Sequence, residues 1–299
     1  MCSIMTHERP FKTIHKINLS SSIAVQAKAY LIPLLLLTLA ACRLAPEVTP
    51  TVTQTLPPSP STTPTSLPTP TVPLPGEPTL PEEAVLILEP GPGSILVSPA
   101  HISGVADSTF EQNLVVRILL DDGSIVAFTP TTIQSELGQR GPFKLDVPFS
   151  ISGQRQGFIQ VYSSSPRDGG ITHLASVNVT LSESGPQAVI PTSLHPERIF
   201  IYAPQISAKI TGGIVHVEGY GVASFEQTLV AEVYDVEGNL VGSQPLIIEA
   251  LEMGQPGSFS VDVAYTVHAS APGRIVVRDP SVAFGGDVHL ASVEVLLEP

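Results

Sequence analysis

The chain has 299 residues, of which 30 are proline and 5% are aromatic, and its net charge at neutral pH is −13. A surface this acidic repels nucleic acid and anionic lipid headgroups, so we expect no nucleic-acid partner. The length allows two domains of ordinary size. The two cysteines, Cys2 and Cys42, both lie near the start of the chain, so everything after them must fold on hydrophobic cores without a disulfide.

The first 42 residues have the features of a leader. Residues 1–28 are mildly basic, and residues 29–41, AYLIPLLLLTLAA, are apolar but too few to cross a bilayer as a helix, which is typical of a signal peptide core. The run ends Leu39-Ala40-Ala41-Cys42, which resembles the lipobox of bacterial lipoproteins. That resemblance implies cleavage after residue 41 and acyl chains on Cys42 that anchor the chain to the extracytoplasmic side of the cell membrane. The alternative is an ordinary secreted protein with a chance cysteine.

A proline- and threonine-rich segment follows the leader. Residues 46–81 contain 12 prolines and 10 threonines in 36 positions. Proline fixes φ and removes backbone donors, so neither a helix nor a sheet can run through the segment. We therefore predict that residues 42–83 form a disordered, extended stalk that lifts the following part away from the membrane.

The remaining sequence contains the same pattern twice. The landmarks of the first copy recur 115 or 116 positions later, and His173 to Val177, HLASV, recurs unchanged at His289 to Val293. The paired landmarks are Gly104 and Gly219, Phe110 and Phe225, Glu111 and Glu226, Gly123 and Gly238, Phe143 and Phe259, and His173 and His289. This spacing predicts a tandem duplication, with one domain over residues 84–185 and a second over residues 188–299.

Each copy has the pattern of short β-strands. Apolar and polar residues alternate from Phe143 to Phe149 and again from Phe259 to Tyr265, as in strands with one buried face. In the first copy we predict strands at residues 85–88, 101–105, 114–120, 124–128, 143–149, 158–162 and 174–181. No segment has a sustained helical period. The predicted fold class is all-β, with two tandem immunoglobulin-like β-sandwiches whose cores are filled by Phe110, Phe143, Phe225 and Phe259.

Residues 90–181 resemble the bacterial spore germination immunoglobulin-like domain. The matching landmarks are Pro90, Gly93, Val97-Ser98-Pro99, Gly104, Ala106, Phe110-Glu111, Asp122-Gly123, Gly141-Pro142-Phe143 and Asp168-Gly169. The second copy departs from this pattern, because its opening lacks the Gly and Ser-Pro landmarks. The resemblance implies an extracytoplasmic, non-catalytic module.

The repeated Phe-Glu pair and the repeated histidine are the main candidates for a site. Glu111 and Glu226 could share a ligand contact, or they could close a turn, and their retention beside core residues favours the turn. His173 and His289 could bind a ligand or respond to pH, or they could be packed structural histidines.

The carboxylates near the two histidines differ between the copies. Asp168 aligns with Phe284, and Asp287 aligns with Ile171. A duplicated metal site would have kept both members, so the sequence favours structural histidines and no metal or other cofactor.

Two further motifs could bind a ligand or carry a glycan, and catalytic signatures are absent from the sequence. The acidic turns at residues 121–122 and 235–237 could hold Ca²⁺ weakly, but they lack an EF-hand-like series of ligands, so we interpret them as solvated. Asn178-Val179-Thr180 fits a glycosylation acceptor, but it lies inside a predicted strand. The sequence contains no metalloprotease, serine hydrolase or phosphate-loop signature, so we expect no enzyme activity.

Together these features predict a membrane-anchored lipoprotein whose tandem domains bind or scaffold an unknown envelope protein or wall polymer. One alternative is a purely structural spacer or assembly accessory. Another is a carbohydrate- or solute-binding lipoprotein, although the low aromatic content counts against stacking on sugars. The spacer at residues 182–191 is short, so we expect the two sandwiches to lie close together, end to end.

Overall fold

The computed structural model describes residues 80–299, which all belong to one compact unit. The predicted leader, Cys42 and the stalk as far as residue 79 lie outside the described residues. Within residues 80–299, no helix has the length and apolar character needed to cross a membrane.

The described chain is all-β, as the sequence predicts. The first half comprises β1 (Val85–Glu89), β2 (Ile95–Val97), β3 (Ala100–Ala106), β4 (Asn113–Leu120), β5 (Ile125–Thr132), β6 (Gly141–Val147), β7 (Gln154–Ser164) and β8 (Ile171–Ser182). The second half comprises β9 (Ile199–Ala203), β10 (Lys209–Ile210), β11 (Ile214–Gly221), β12 (Thr228–Tyr234), β13 (Leu240–Ile247), β14 (Gly257–Ala264), β15 (Ala271–Pro280) and β16 (Asp287–Leu297). The seven strands predicted for the first half are present, and β2 is an additional short one.

The strands form sandwich-like layers. A long sheet runs in the order β13-β12-β15-β16-β8-β7-β4-β5, and two three-stranded sheets, β1-β3-β6 and β14-β11-β9, pack against it. The short strands β2 and β10 pair in parallel with β8 and β16. Every strand pairing within the first half has a counterpart within the second half.

Each half has its own hydrophobic core between the layers. Phe143 and Phe259 are almost fully buried there, as predicted. In each core the phenylalanine ring lies over a glycine directly opposite on the neighbouring strand, Gly104 in the first half and Gly219 in the second. A Cβ on Gly104 would come within 2.4 Å of the Phe143 ring, so the two residues are retained as a pair.

The prediction that Phe110 and Phe225 fill the cores is wrong. Their exposed fractions are 56% and 46%. Phe110 opens a tight turn in which the next two residues have positive φ, and the same strained geometry recurs after Phe225. In the first half, Gln112 is buried instead, and its side-chain amide nitrogen lies within hydrogen-bond distance of Ser135 Oγ and of two backbone carbonyls of the same loop.

The two halves lie side by side instead of end to end. Strand β8 pairs antiparallel with β16, with Leu174 opposite Leu290 and His173 opposite Ala291. A second connection pairs Glu82 with Pro196 in front of β1 and β9. The short strands β2 and β10 cover the later part of the β8 and β16 edges, and the pairing of β8 with β16 covers the part near their starts.

Candidate functional site at the junction of the two halves

Four side chains meet where the two halves join. They are His173 and His289 from β8 and β16, and Glu83 and Glu197 from the segments that precede β1 and β9. Each half contributes one histidine and one glutamate, so an approximate two-fold axis passes through the group, which we call the junction cluster. The histidines face inward because strand residues alternate, and this places Leu174 and Leu290 in a small apolar cluster on the outer face.

The donor atoms of the junction cluster surround a common point. His173 Nε2 lies 3.1 Å from Glu83 Oε1 and 3.7 Å from Glu197 Oε1. His289 Nε2 lies 3.1 Å from Glu197 Oε1 and 3.4 Å from Glu83 Oε1. The imidazole rings are nearly perpendicular, with centroids 5.2 Å apart. Each histidine nitrogen therefore faces both carboxylates.

Backbone hydrogen bonds hold the second oxygen of each carboxylate. The Ala84 N–H donates to Glu197 Oε2 at 2.8 Å, and the Arg198 N–H donates to Glu83 Oε2 at 3.1 Å. Each glutamate thus fixes the strand start of the other half and leaves its Oε1 atom directed at the histidines.

The junction cluster is buried. The side chains of Glu83, Glu197 and His289 are at most 5% exposed, and that of His173 is 13% exposed. Burial alone would lower the pKa of His173, but the carboxylates of Glu197 and Glu83 outweigh it and raise the pKa. Burial lowers the pKa of His289 to about 3, so this ring is neutral at pH 7. Its Nδ1 atom is buried and has no hydrogen-bond partner within residues 80–299.

Two clefts flank the junction cluster. One, of about 390 Å³, is lined by Glu83, Glu197 and His195, and the other, of about 630 Å³, is lined by His173 and residues of both halves. The clefts give small solutes a path to within contact distance of the cluster.

The repeated HLASV motif forms the junction itself. Its histidine belongs to the junction cluster and its leucine to the paired strands. Its serine donates across the junction in both directions, from Ser176 Oγ to the Val288 carbonyl at 2.6 Å and from Ser292 Oγ to the Thr172 carbonyl at 2.7 Å. The motif therefore makes contacts between the halves in both of its occurrences.

The sequence did not reveal the two glutamates. Glu83 and Glu197 lie about 90 residues before their histidines, and Glu83 falls inside the segment predicted as stalk. Residues 82–83 instead belong to the folded part, through the pairing with Pro196. Asp168 and Asp287, the carboxylates that the sequence places near the histidines, are not part of the junction cluster. A repeated Glu two residues before the first strand of each copy was the available signal.

Asp168 and Phe284 occupy equivalent positions on opposite sides of the junction. Asp168 Oδ1 accepts a hydrogen bond from Arg274 Nη1 at 2.9 Å, and both side chains are at most 3% exposed. Phe284 packs against Phe158, which is the counterpart of Arg274, with ring centroids 4.7 Å apart. Related positions thus carry an ion pair on one side and an aromatic pair on the other.

The other candidates lie away from the junction cluster. Glu111 and Glu226 are exposed in their turns. Asp121 and Asp122 form ion pairs with Arg155, and Asn178 is exposed on β8. In the second acidic turn, the Asp235 carboxylate accepts hydrogen bonds from Asn239.

The first half matches a known family. Residues 84–170 match the family described as the immunoglobulin-like domain of bacterial spore germination. This segment of the chain is one such domain. The match agrees with the resemblance of residues 90–181, and the spore germination domain begins one residue after Glu83 and ends three residues before His173. The two members of the junction cluster that belong to the first half, Glu83 and His173, therefore lie just outside the two ends of the matched segment.

More distant comparisons add little. No curated protein matches the sequence. Dimeric latent PorU from Porphyromonas gingivalis aligns with 72% of the chain at 8% identity and a TM-score of 0.22, and red sea bream transglutaminase aligns with 72% at 6% identity and a TM-score of 0.25. The aligned chain spans 24% and 31% of those structures. Similarity at this level carries no functional argument.

Proposed function

We propose that the protein is a membrane-anchored, extracytoplasmic lipoprotein whose two immunoglobulin-like halves act as a non-catalytic binding or scaffolding module at the cell envelope. The observation that carries this proposal is the spore germination domain at residues 84–170, preceded by a leader that ends in the lipobox-like Cys42. In this proposal the second half is a diverged copy of the same domain, which its matching strand pairings support.

The loops at the end of each half are the proposed contact surfaces. The turn that holds Phe110 packs beside the loop that carries Leu137, and both side chains are exposed. The second half repeats the arrangement with Phe225 and Leu251. Exposed apolar side chains on loops held by a rigid sheet are typical of binding surfaces.

The test is capture from the host's own envelope. Residues 71–299, which include Glu83, would be immobilised and incubated with cell-wall sacculi and membrane extract at low and high salt. We expect saturable retention of one component, and we expect its loss in a variant with Phe110→Ser, Leu137→Ser, Phe225→Ser and Leu251→Ser. A matched control changes four exposed polar residues outside these loops. Retention that is equal in the loop variant and in the control would contradict the proposed surfaces.

A second candidate function is a spacer that holds other envelope components apart without a ligand of its own. The sheet that runs through both halves favours it, because the sheet joins the two halves directly. Absence of any retention at either salt concentration would support this candidate over the binding module.

A further inference from the structure

We propose that the junction cluster is a tetrahedral Zn²⁺ site formed by Glu83, His173, Glu197 and His289, with two ligands from each half. The inference is independent of the envelope role. It assigns a metal to residues for which the sequence alone favoured none.

The distances between the histidine and glutamate donor atoms fit those of a zinc site. Zinc binds histidine nitrogen at about 2.0–2.1 Å and carboxylate oxygen at about 2.0–2.2 Å, so neighbouring ligand atoms in a tetrahedron are about 3.3–3.5 Å apart. The four histidine-to-glutamate distances are 3.1, 3.7, 3.1 and 3.4 Å. One donor atom from each residue lies within 4.8 Å of the other three.

The arrangement suits a central cation better than separate hydrogen bonds. One imidazole N–H can satisfy one carboxylate oxygen, yet each Nε2 faces two of them. Two carboxylates brought together in a buried site repel each other unless a cation lies between them. A divalent ion with two ionised glutamates and two neutral histidines makes the site electrically neutral.

The surroundings hold the ligands in place. Backbone N–H groups of Ala84 and Arg198 bind the far oxygen of each carboxylate, so the near oxygens keep a fixed direction. Hydrogen bonds of this kind to metal-binding side chains raise the affinity of a site. The cleft beside His173 supplies a path for the ion.

The choice of zinc follows from the ligand types. Two imidazoles with two carboxylates match the ligand types that Zn²⁺ takes, whereas Mg²⁺ and Ca²⁺ prefer six or more oxygen ligands. The ion would tie β8 and β16 to the starts of β1 and β9, and so would join the two halves through all four segments at once.

The test is metal binding by the purified full-length chain in detergent, after removal of metals with a chelator. Zn²⁺ and Co²⁺ would be titrated against a chromophoric competitor, with Mg²⁺ and Ca²⁺ in parallel. We expect one Zn²⁺ per chain and intense visible bands of tetrahedral Co²⁺. We also expect a higher thermal midpoint with Zn²⁺, since a ligand that binds the folded state stabilises it. The variant Glu83→Gln/Glu197→Gln keeps the size and the backbone hydrogen bonds and should weaken zinc binding about 100-fold or more.

The matched control is His101→Ala. His101 is an exposed histidine that contacts Asp146 at 2.8 Å outside the junction, so its loss should leave the zinc stoichiometry unchanged. Binding that persists in the glutamine variant would assign the metal to other groups, such as Cys2 or Cys42, and would overturn the proposal. Failure of the wild-type chain to bind Zn²⁺ stoichiometrically, or an octahedral Co²⁺ spectrum, would overturn it without any variant.

Discussion

At the scale of single residues, the landmarks that both copies share fall into two groups. Phe143 and Gly104, with their counterparts, are retained for packing inside each half. The residues of HLASV are retained for contacts between the halves, through a histidine, a leucine and a serine. The first group could be predicted, because alternation identifies buried strand positions. The second was not predicted, because the glutamates that the histidines contact lie about 90 residues away in sequence, and a Glu repeated before the first strand of each copy was the only signal for them.

Replacing Phe143 should destabilise the protein far more than replacing Phe110. Phe143 is 1% exposed, so Phe143→Ala removes buried contacts and leaves a cavity, at a cost of about 3–5 kcal/mol. Phe110 is 56% exposed, and Phe110→Ala should change the free energy of unfolding by less than about 1 kcal/mol. Urea unfolding followed by far-ultraviolet circular dichroism measures both, and equal losses would contradict the assigned positions.

Asp168 should make stability depend on pH in acid. Burial alone would raise its pKa, but hydrogen bonds from Arg274 and the Gly170 N–H lower the pKa from 3.8 to about 2. Because the folded pKa lies below the unfolded one, the stabilisation is complete above about pH 5 and is lost as the pH falls towards 2. The contribution at neutral pH is about 2 kcal/mol.

The variant Asp168→Asn isolates this contribution. It lacks the titrating group, so its free energy of unfolding should fall less steeply than that of the wild type between pH 5 and pH 3. Urea unfolding at several pH values in this interval provides the comparison. Parallel slopes for the two proteins would show that Asp168 does not carry the effect.

At the scale of elements, period-two alternation predicted the strands well. It identified seven of the eight strands in the first half, and the three-residue β2 was too short to show a period. Alternation could not predict the pairing of β8 with β16, because backbone hydrogen bonds between two edges leave no mark in the side-chain pattern. The burial of Phe110 was predicted wrongly for a related reason. The turn there depends on positive φ at Glu111 and Gln112, which is a backbone property and does not show in the side-chain pattern.

Adding a methyl group at Gly219 should disturb the pairing of β11 with β14. A Cβ there would lie 2.2 Å from the Phe259 ring and 2.3 Å from the Phe200 carbonyl oxygen. We expect Gly219→Ala to cost about 1–3 kcal/mol, as overpacking of a core does. Ser258→Ala, at an exposed position on β14, is the control and should be close to neutral in the same urea titration.

At the scale of the whole molecule, the two halves form one body. Two strand contacts, the junction cluster and the reciprocal serine hydrogen bonds all cross between them. On one side of the junction, Asp168 forms an ion pair with Arg274. On the other side, the ring of Phe284 packs on the ring of Phe158. These two different contacts favour pairing of unlike halves. If two identical first halves were paired in the same way, Asp168 of each half would face Phe158 of the other half on both sides of the junction.

Removing both junction serine hydroxyls should weaken the contact between the halves. Ser176→Ala/Ser292→Ala leaves the carbonyls of Val288 and Thr172 without these donors, at a cost of about 1–3 kcal/mol in total. Calorimetry should show one unfolding transition for the wild type and a lower thermal midpoint for the variant. An unchanged midpoint would mean that these hydrogen bonds do not stabilise the junction.

The most direct test of the joined halves is amide hydrogen exchange followed by nuclear magnetic resonance under native conditions. The measurement compares exchange rates of two sets of amides. One set is the amides of residues 173–175 and 289–291 that point across the junction, and the other is the amides in the middle of β7 and β15. If the two halves are one body, the junction amides exchange as slowly as those inside each half, because they open only with the whole sheet. Fast exchange at the junction, with slow exchange in both cores, would show two independent domains and would contradict the account.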